Sequence, residues 1–423
     1  MSFFPAHQGI NKHSLRSLAL AFAASFSFAS LPAVAEKTDM SVFPDWAAVQ
    51  DHAKDSVVYW NAWGGDEKIN AYMTWAGEEV EKRYGVTVNL VKVSDTASVV
   101  SQLLAEKTVG RKDQKGSIDL IWINGENFAA LKKANMLFGP FTDLLPHNSL
   151  VDHAGKPTTL IDFTLPVDGL EAPWGMAQFV FMHDQDRIET PPDSAMALLD
   201  WAKSHPGRFT YPQPPDFMGS TFLKQTLIEV IEDPTLLQKP VSDQAAFAAA
   251  TQPLWSYLEA LHPVSWRKGQ AFPPSGPGLR QLFADGEVDF ALSFHPNEAS
   301  GLIDQGLLPP STRTHIHSGG TLGNTHFLAI PANAGRKAKA GAMVLVNFLM
   351  SPEAQLKKQD PTIWGDFTVL DLAKIAPEQR EAFNALPKGP ATLSLEALGT
   401  PLLEPHPSWM EALEAEWQKR YGS

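Results

Sequence analysis

The 423-residue chain has no cysteine. Disulfides are therefore excluded, and an exported fold must be held by a core large enough to stand alone. A bacterial lipid anchor, which needs a cysteine at its processing site, is not expected either. Charge of one sign never accumulates: no block of five or more like charges occurs, and the formal charge is −13. That balance argues against nucleic acid and against an anionic membrane surface as partners. Long apolar runs are missing beyond the N-terminal region, so nothing else approaches the roughly 20 apolar residues of a membrane-spanning helix. There is no G-x-S-x-G elbow, no H-E-x-x-H and no phosphate-cradling G-x-x-x-x-G-K. A secreted hydrolase built from dispersed residues stays open as an alternative, as does a metal-capture protein.

What is present begins with an address. Lys12, His13 and Arg16 form a basic segment, residues 18–31 are apolar and small, and Ala33-Val34-Ala35 fits an A-x-A cleavage signal. Residues 1–35 are expected to be a secretory signal peptide cut before Glu36. The expected location is a Gram-negative periplasm, with the mature chain soluble. Its length fits two domains or one two-lobed unit.

Hydrophobic periodicity sorts the remainder. Residues 44–54 suggest a short helix and 56–62 a strand. From Asp66, the residues Ile69, Tyr72, Met73, Ala76, Val80 and Tyr84 recur at helical spacing up to Gly85. Residues 86–93 are β-rich, 97–107 helical, 118–124 a continuous apolar strand (IDLIWIN) and 127–134 helical. This order predicts a mostly parallel sheet covered on both faces, with ligands beyond the carboxyl ends of its strands. Trp63-Gly64-Gly65 and Asn124-Gly125-Glu126 both stand at such ends, hence on one rim. Further on, 173–184 (PWGMAQFVFMHD) reads as a strand and 194–204 as a helix. Residues 211–221 (YPQPPDFMGST) read as a proline-rich loop running into a helix over 222–231. A long helical region then reaches Leu261, and 278–284 reads as a short helix. Strands are expected at 288–294 and 325–331, an amphipathic helix at 337–350, and helices from Pro377 on.

The segment HFLAIPANAGRKAKAGAMVLVNFLMSPEAQ, residues 326–355, ends a strand in Ile-Pro, turns, and runs through an Ala- and Lys-rich helix into NFLMSPEAQ. It resembles the closing motif of the extracellular solute-binding proteins of ABC importers. DLIWINGENFAALKKANML, residues 119–137, resembles the strand and helix that precede the first hinge crossing in that family. With the export signal and the size, the resemblance covers essentially the whole mature chain. It looks closest to a periplasmic branch related to the binding proteins for thiamine, polyamines and ferric ion. The resemblance implies an α/β, two-lobed periplasmic-binding-protein fold of type II kind, with crossing hinge strands and solute trapped as the lobes close. It implies lobe one from residues 36–176 plus 327–365, lobe two from 177–326, and a helical segment, 366–423, packing across both. PWGMAQFVFMHD would cross out and THFLAIP would cross back. The implied partners are a small-molecule solute and an ABC permease with its ATPase at the inner membrane. No cofactor and no catalysis are implied, and a monomer is expected.

On the rim, Trp63 is either a core tryptophan or a stacking wall, and Gly64-Gly65 would let backbone N–H groups approach a ligand closely. Asp66 either caps the helix it begins or meets a cation; Glu126 sits similarly. Helix N-termini attract anions, yet Asp66, Glu126 and Asp216 stand at three of them. That pattern points away from a purely anionic solute and toward a cationic, zwitterionic or polyhydroxyl one. From lobe two, the proline-stiffened loop offers Asp216, Phe217, Ser220 and Thr221, and SFHPNEA offers Asn297 and Glu298. Trp174 and Gln178 on the hinge strand would line the cleft floor. Asn324, Trp364 and Asp366 complete the set. His315 and His317 alternate on one strand with His326 nearby, and three histidines can hold zinc. No carboxylate or cysteine stands beside them at ligand spacing, so a solvated histidine-rich edge is the expected reading. Ferric-ion binders of the family generally use neighbouring tyrosines, and none of the six tyrosines adjoins another.

Overall fold

Along β1 (Ser56–Trp63) the side chains of Val58, Trp60 and Ala62 are buried, whereas Val57 and Tyr59 are 43% and 46% exposed. This is the period-two pattern of a strand with one face on a core. The computed structural model to which β1 belongs describes residues 40–110 and 116–422; the expected signal peptide lies outside the described residues. A short helix, α1 (Trp46–Ala53), precedes β1, and α2 (Glu67–Tyr84) follows it. Helix α2 starts on the Asp66 cap and stops at Gly85, whose φ of 68° is left-handed backbone that glycine adopts without a Cβ penalty. Next come β2 (Val86–Val93), α3 (Thr96–Thr108), β3 (Leu120–Ile123) and α4 (Gly125–Lys133), with β1 pairing parallel to both β2 and β3.

After α4 a small hairpin, β4 (Ile161–Asp162) and β5 (Leu165–Pro166), leads to β6 (Glu171–Gln178) and then β7 (Val180–Asp184). Helices α5 (Ala195–Ser204), α6 (Phe217–Val230), α7 (Gln244–Leu261), α8 (Gly276–Ala284) and α9 (Glu298–Asp304) accompany strands β8 (Phe290–Ser293) and β9 (Thr312–His315). The chain returns through β10 (Gly323–Ala329), α10 (Arg336–Leu349) and α11 (Pro352–Gln359). It ends in α12 (Pro377–Asn384), α13 (Leu395–Leu398) and α14 (Pro407–Tyr421).

These strands make two principal sheets, one ordered β2-β1-β3-β10-β6 and one ordered β8-β7-β9. The first is parallel only through β2, β1 and β3. Strand β10 lies antiparallel between β3 and β6, because the chain re-enters this sheet from its far end. Two cores clothe its faces: Trp60, Trp174 and Leu328 pack with α2 and α10 on one side, and Ile121, Ile123 and Phe327 with α3 and α4 on the other. The second sheet shares a separate core with α5 to α8, and Trp409, Leu413 and Trp417 of α14 join it.

Only Phe179 separates β6 from β7. Gln178 pairs with Gly323 in the first sheet, while Val180 pairs with Ser293 in the second. PWGMAQFVFMHD therefore runs directly from sheet to sheet. THFLAIP does not cross: β10 lies wholly in the first sheet, and the return path is residues 316–322.

The three histidines considered for zinc do not meet. His326 lies on β10 in the first sheet, whereas His317 pairs with Glu229 at 2.6 Å beside the second. His315 Nδ1 stands 3.0 Å from Nδ1 of His183 on the neighbouring strand. Burial holds His183 down to about 4, and burial with the adjacent His183 holds His315 well below its ordinary value. In the unfolded chain both take protons below about pH 6.5. Their contribution to stability is thus full above pH 6.5 and is lost as the pH falls toward 4. Replacing both with glutamine is expected to flatten the loss of stability between pH 6.5 and 4 by on the order of 2 kcal/mol. Urea melts across that range, compared with the wild type, read the difference.

Candidate ligand-binding cleft

The N-termini of α2, α4 and α6 each hold a carboxylate of the chain itself. Asp66 accepts from the N–H groups of Lys68 and Ile69 at 2.8 and 3.0 Å. Asp216 accepts from Met218 and Gly219 at 3.0 and 3.4 Å. At α4 the N-cap Asn124 makes no side-chain cap; the Gly125 N–H donates instead to the buried Asp162 at 2.6 Å. The partial positive ends that would attract an anion are filled from within.

Beside α4 lies a buried charged cluster. Lys224 of α6 donates to Oε2 of Glu404 at 2.6 Å, with the two side chains 1% and 4% exposed. The same ammonium stands 4.5 Å from the ring centre of Phe163 and 5.6 Å from that of Phe217. Phe163 sits at the turn of the β4–β5 hairpin and lays its ring on Gly125, where a Cβ would come within 3.0 Å of it. Glu414 of α14 accepts the Ser220 hydroxyl at 2.5 Å. Burial pushes the Glu126 carboxyl up to about 7, with Glu414 and Glu404 adding to the rise and Lys224 opposing it. Burial also raises Asp162, Glu404 and Glu414. Four carboxylates thus share the field of one ammonium.

An aromatic group bridges the sheets as well. Trp364, following α11, donates its indole N–H to Nε2 of His295, which follows β8; Asn297 donates its amide to the Gly365 carbonyl. The Trp364 ring stacks on His326 at 6.2 Å and meets Trp122 at 5.6 Å and Trp174 at 5.3 Å. Beneath it Lys358 and Asp366 form a 2.6 Å ion pair with neither side chain exposed. Burial alone would raise Asp366; Lys358, and after it His326, more than reverse that and hold it well below the usual carboxylate range. A Cβ at Gly175 would lie 2.0 Å from Oδ2 of Asp366, so only glycine leaves room for this pair.

Several residues expected to face a ligand are committed elsewhere. Trp63 is half-buried and folds its indole over Gly65, where a Cβ would be 2.2 Å from the ring. Gly64 makes room for Lys92, its N–H donates to Val93 at 3.0 Å and its carbonyl accepts from Asn70 at 3.0 Å. The two glycines therefore serve packing and leave no free N–H at Gly64 for a ligand. Trp174 is fully buried in the core beneath the floor rather than on it. Gln178 braces the crossing by donating to Thr321 Oγ1 and to the Leu398 carbonyl. Glu298 is paired with Arg280 and accepts from Ser293. Asn124 and Asn324 are joined to each other at 3.2 Å, tying β3 to β10.

Phe217, Ser220 and Thr221 stand on α6, not on a loop, because Asp216 caps the helix directly after Pro214-Pro215. Their spacing with Lys224 places one helix face toward the cluster, a signal legible in the sequence once the helix start is right. Asp162, Phe163, Glu404 and Glu414 were not foreseen, nor were Trp122 and His295. No periodic pattern connects residues so distant along the chain. Among the described residues, no three His, Asp or Glu side chains are grouped to hold a metal ion, and no helix is long and apolar enough to cross a membrane.

Residues 75–373 match the family of bacterial extracellular solute-binding proteins. Protein YnjB of Escherichia coli K12 is 43% identical over 380 residues, spanning 90% of this chain and 94% of YnjB. Among solved structures, the periplasmic binding protein AfuA of Actinobacillus pleuropneumoniae, with fructose-6-phosphate bound, superposes at a TM-score of 0.60 and 13% identity, covering 86% of this chain and 98% of AfuA. The spermidine/putrescine substrate-binding protein PotD of Streptococcus pneumoniae does so at 0.58 and 13%, covering 87% and 100%. At these identities the superpositions show the two-lobed fold alone. The family match over most of the chain carries more: the chain belongs to the bacterial extracellular solute-binding proteins, as the periplasmic solute-binding component of an ABC-type importer that serves a small-molecule substrate, a permease and its ATPase, in a family of transport rather than catalysis.

Proposed function

We propose that the solute is an organic cation or zwitterion bound between the lobes, with an ammonium group set against Glu126. The carrying observation is that Glu126, Asp162, Glu404 and Glu414 share the single ammonium of Lys224. A neutral polyhydroxyl solute would hydrogen-bond to this cluster without drawing its raised carboxyls into the ionised form. An anion would find Asp66, Asp162 and Asp216 already seated on the helix N-termini. Neighbours of the same fold are described with a sugar phosphate and with polyamines in their names, so the choice rests on this chain's own charges. The accompanying division moves the expected borders to the crossings, with residues 40–178 plus 323–365 in lobe one and 180–315 in lobe two. The segment 366–423 then closes the side where α14 touches both α4 and α6.

A thermal-shift panel tests the reading. Putrescine, thiamine and glycine betaine stand on one side, and glucose, fructose-6-phosphate and citrate on the other. A ligand at 100 times its Kd stabilises by about 2.7 kcal/mol, and the expected hits are confined to the first group. Stabilisation by citrate or the sugar phosphate alone would sink it.

The Glu126 carboxyl gives a second, sharper expectation. In the empty protein it ionises near pH 7, and a bound cation needs it ionised. Affinity is expected to weaken as the pH falls below 7, approaching tenfold per unit. Glu126→Gln is expected to abolish that slope and to cost about 10- to 100-fold in affinity at pH 8. Because the folded-state value lies above the ordinary 4.5, ionisation costs the empty protein stability as the pH rises from 4.5 through 7. Glu126→Gln should therefore raise Tm at pH 8 more than at pH 5. Calorimetric titration and melts at the two pH values check both statements.

A further inference from the structure

Lys224 is the one charged group of the interlobe cluster whose surroundings look built for an ammonium rather than for a lysine in particular. Its ammonium has three N–H donors, and its one hydrogen bond among the described residues is to Oε2 of Glu404. The faces of Phe163 and Phe217 lie at 4.5 and 5.6 Å, within the distance at which an aromatic face attracts a cation. The other oxygen of Glu404 is buried and makes no hydrogen bond among the described residues. The walls come from three separate parts of the chain: the β4–β5 hairpin beside the first sheet, α6 beside the second, and the C-terminal segment.

A buried Lys–Glu pair is poor at stabilising a fold, since desolvation cancels much of the attraction. An apolar pair would serve packing as well. The arrangement makes better sense as a seat for a cation that forms when the two lobes meet.

We propose that Phe163, Phe217 and Glu404 form a primary-ammonium subsite of the cleft, which Lys224 fills in the empty protein and yields to an aliphatic amine of the solute. The tethered lysine keeps the seat from standing as an uncompensated buried carboxylate. An entering amine replaces one ammonium with another, so the exchange leaves the net charge of the seat unchanged. Lys224, released on its flexible stem, then faces the neighbouring Glu126 and Glu414. This subsite rests on the cationic reading of the cleft and names its amine-recognising half.

Chemical rescue tests it. Lys224→Ala removes three methylenes and the ammonium, a fragment that n-propylammonium reproduces. At about 50 mM, n-propylammonium chloride is expected to raise the Tm of Lys224→Ala by about 2 °C or more beyond equal sodium chloride or n-propanol. The wild type, whose seat is occupied, should shift much less. Lys224→Ala/Glu404→Gln lacks both charges and should ignore the amine. Equal shifts in all three proteins, or none in Lys224→Ala, would overturn the subsite. If Lys224→Ala does not fold in sodium chloride, recovery of its far-UV signal on refolding in n-propylammonium supports the proposal and failure to recover overturns it. The probe reads the seat and the solute panel reads the cleft. Rescue without any cationic solute bound by the wild type would show a seat that Lys224 never yields, and overturns the subsite together with the cationic reading; a cationic solute bound without rescue keeps the reading and overturns the subsite alone.

Discussion

Taking a carboxylate out of water costs several kcal/mol unless a cation or a proton comes with it. This chain buries Asp162 and Glu404 outright and holds Glu126 and Glu414 close to them, with Lys224 as the only ammonium in their midst among the described residues. The cluster must therefore hold protons or take up a cation. On the cationic reading proposed above, the second course is the one the solute provides.

The framework that allows this is rigid where it must be. One residue, Phe179, separates strands belonging to different sheets, and Gln178 beside it is tied to Thr321 and Leu398. Under the aromatic bridge the Lys358–Asp366 pair fixes the loop that carries Trp364 and Gly365. Removing either member of such a pair costs about 3–5 kcal/mol. The two bonds across the sheets, Trp364 to His295 and Asn297 to Gly365, then act from a fixed base. Helix α14 touches both α4, which carries Glu126, and α6, which carries Lys224, and so joins the two sides of the charged cluster.

Local signals carried the architecture far. Alternating burial marks β1, the Asp66 cap and Gly85 stop bound α2, and the IDLIWIN run is a strand as expected, though shorter. What failed were statements requiring knowledge of neighbours. Trp63-Gly64-Gly65 looks like an open lip in sequence, yet the glycines exist to seat Trp63 and Lys92. Trp174 is an ordinary hinge-strand tryptophan by spacing and is fully buried because three further aromatic rings surround it. The Pro214-Pro215 pair suggested a longer loop, whereas the aspartate after it begins the helix and sets Lys224 on one face with Phe217 and Ser220. The acid surplus was legible only in part: carboxylates at helix starts stand out, but Glu404 and Glu414 reach the site through tertiary packing with no local pattern to announce them.

The most direct test is native mass spectrometry of the protein released gently from the periplasm, with its bound solute identified by fragmentation. The account expects a small molecule carrying at least one protonated amine or other fixed positive charge. A phosphorylated sugar, a di- or tricarboxylate or an uncharged saccharide in the cleft would contradict it.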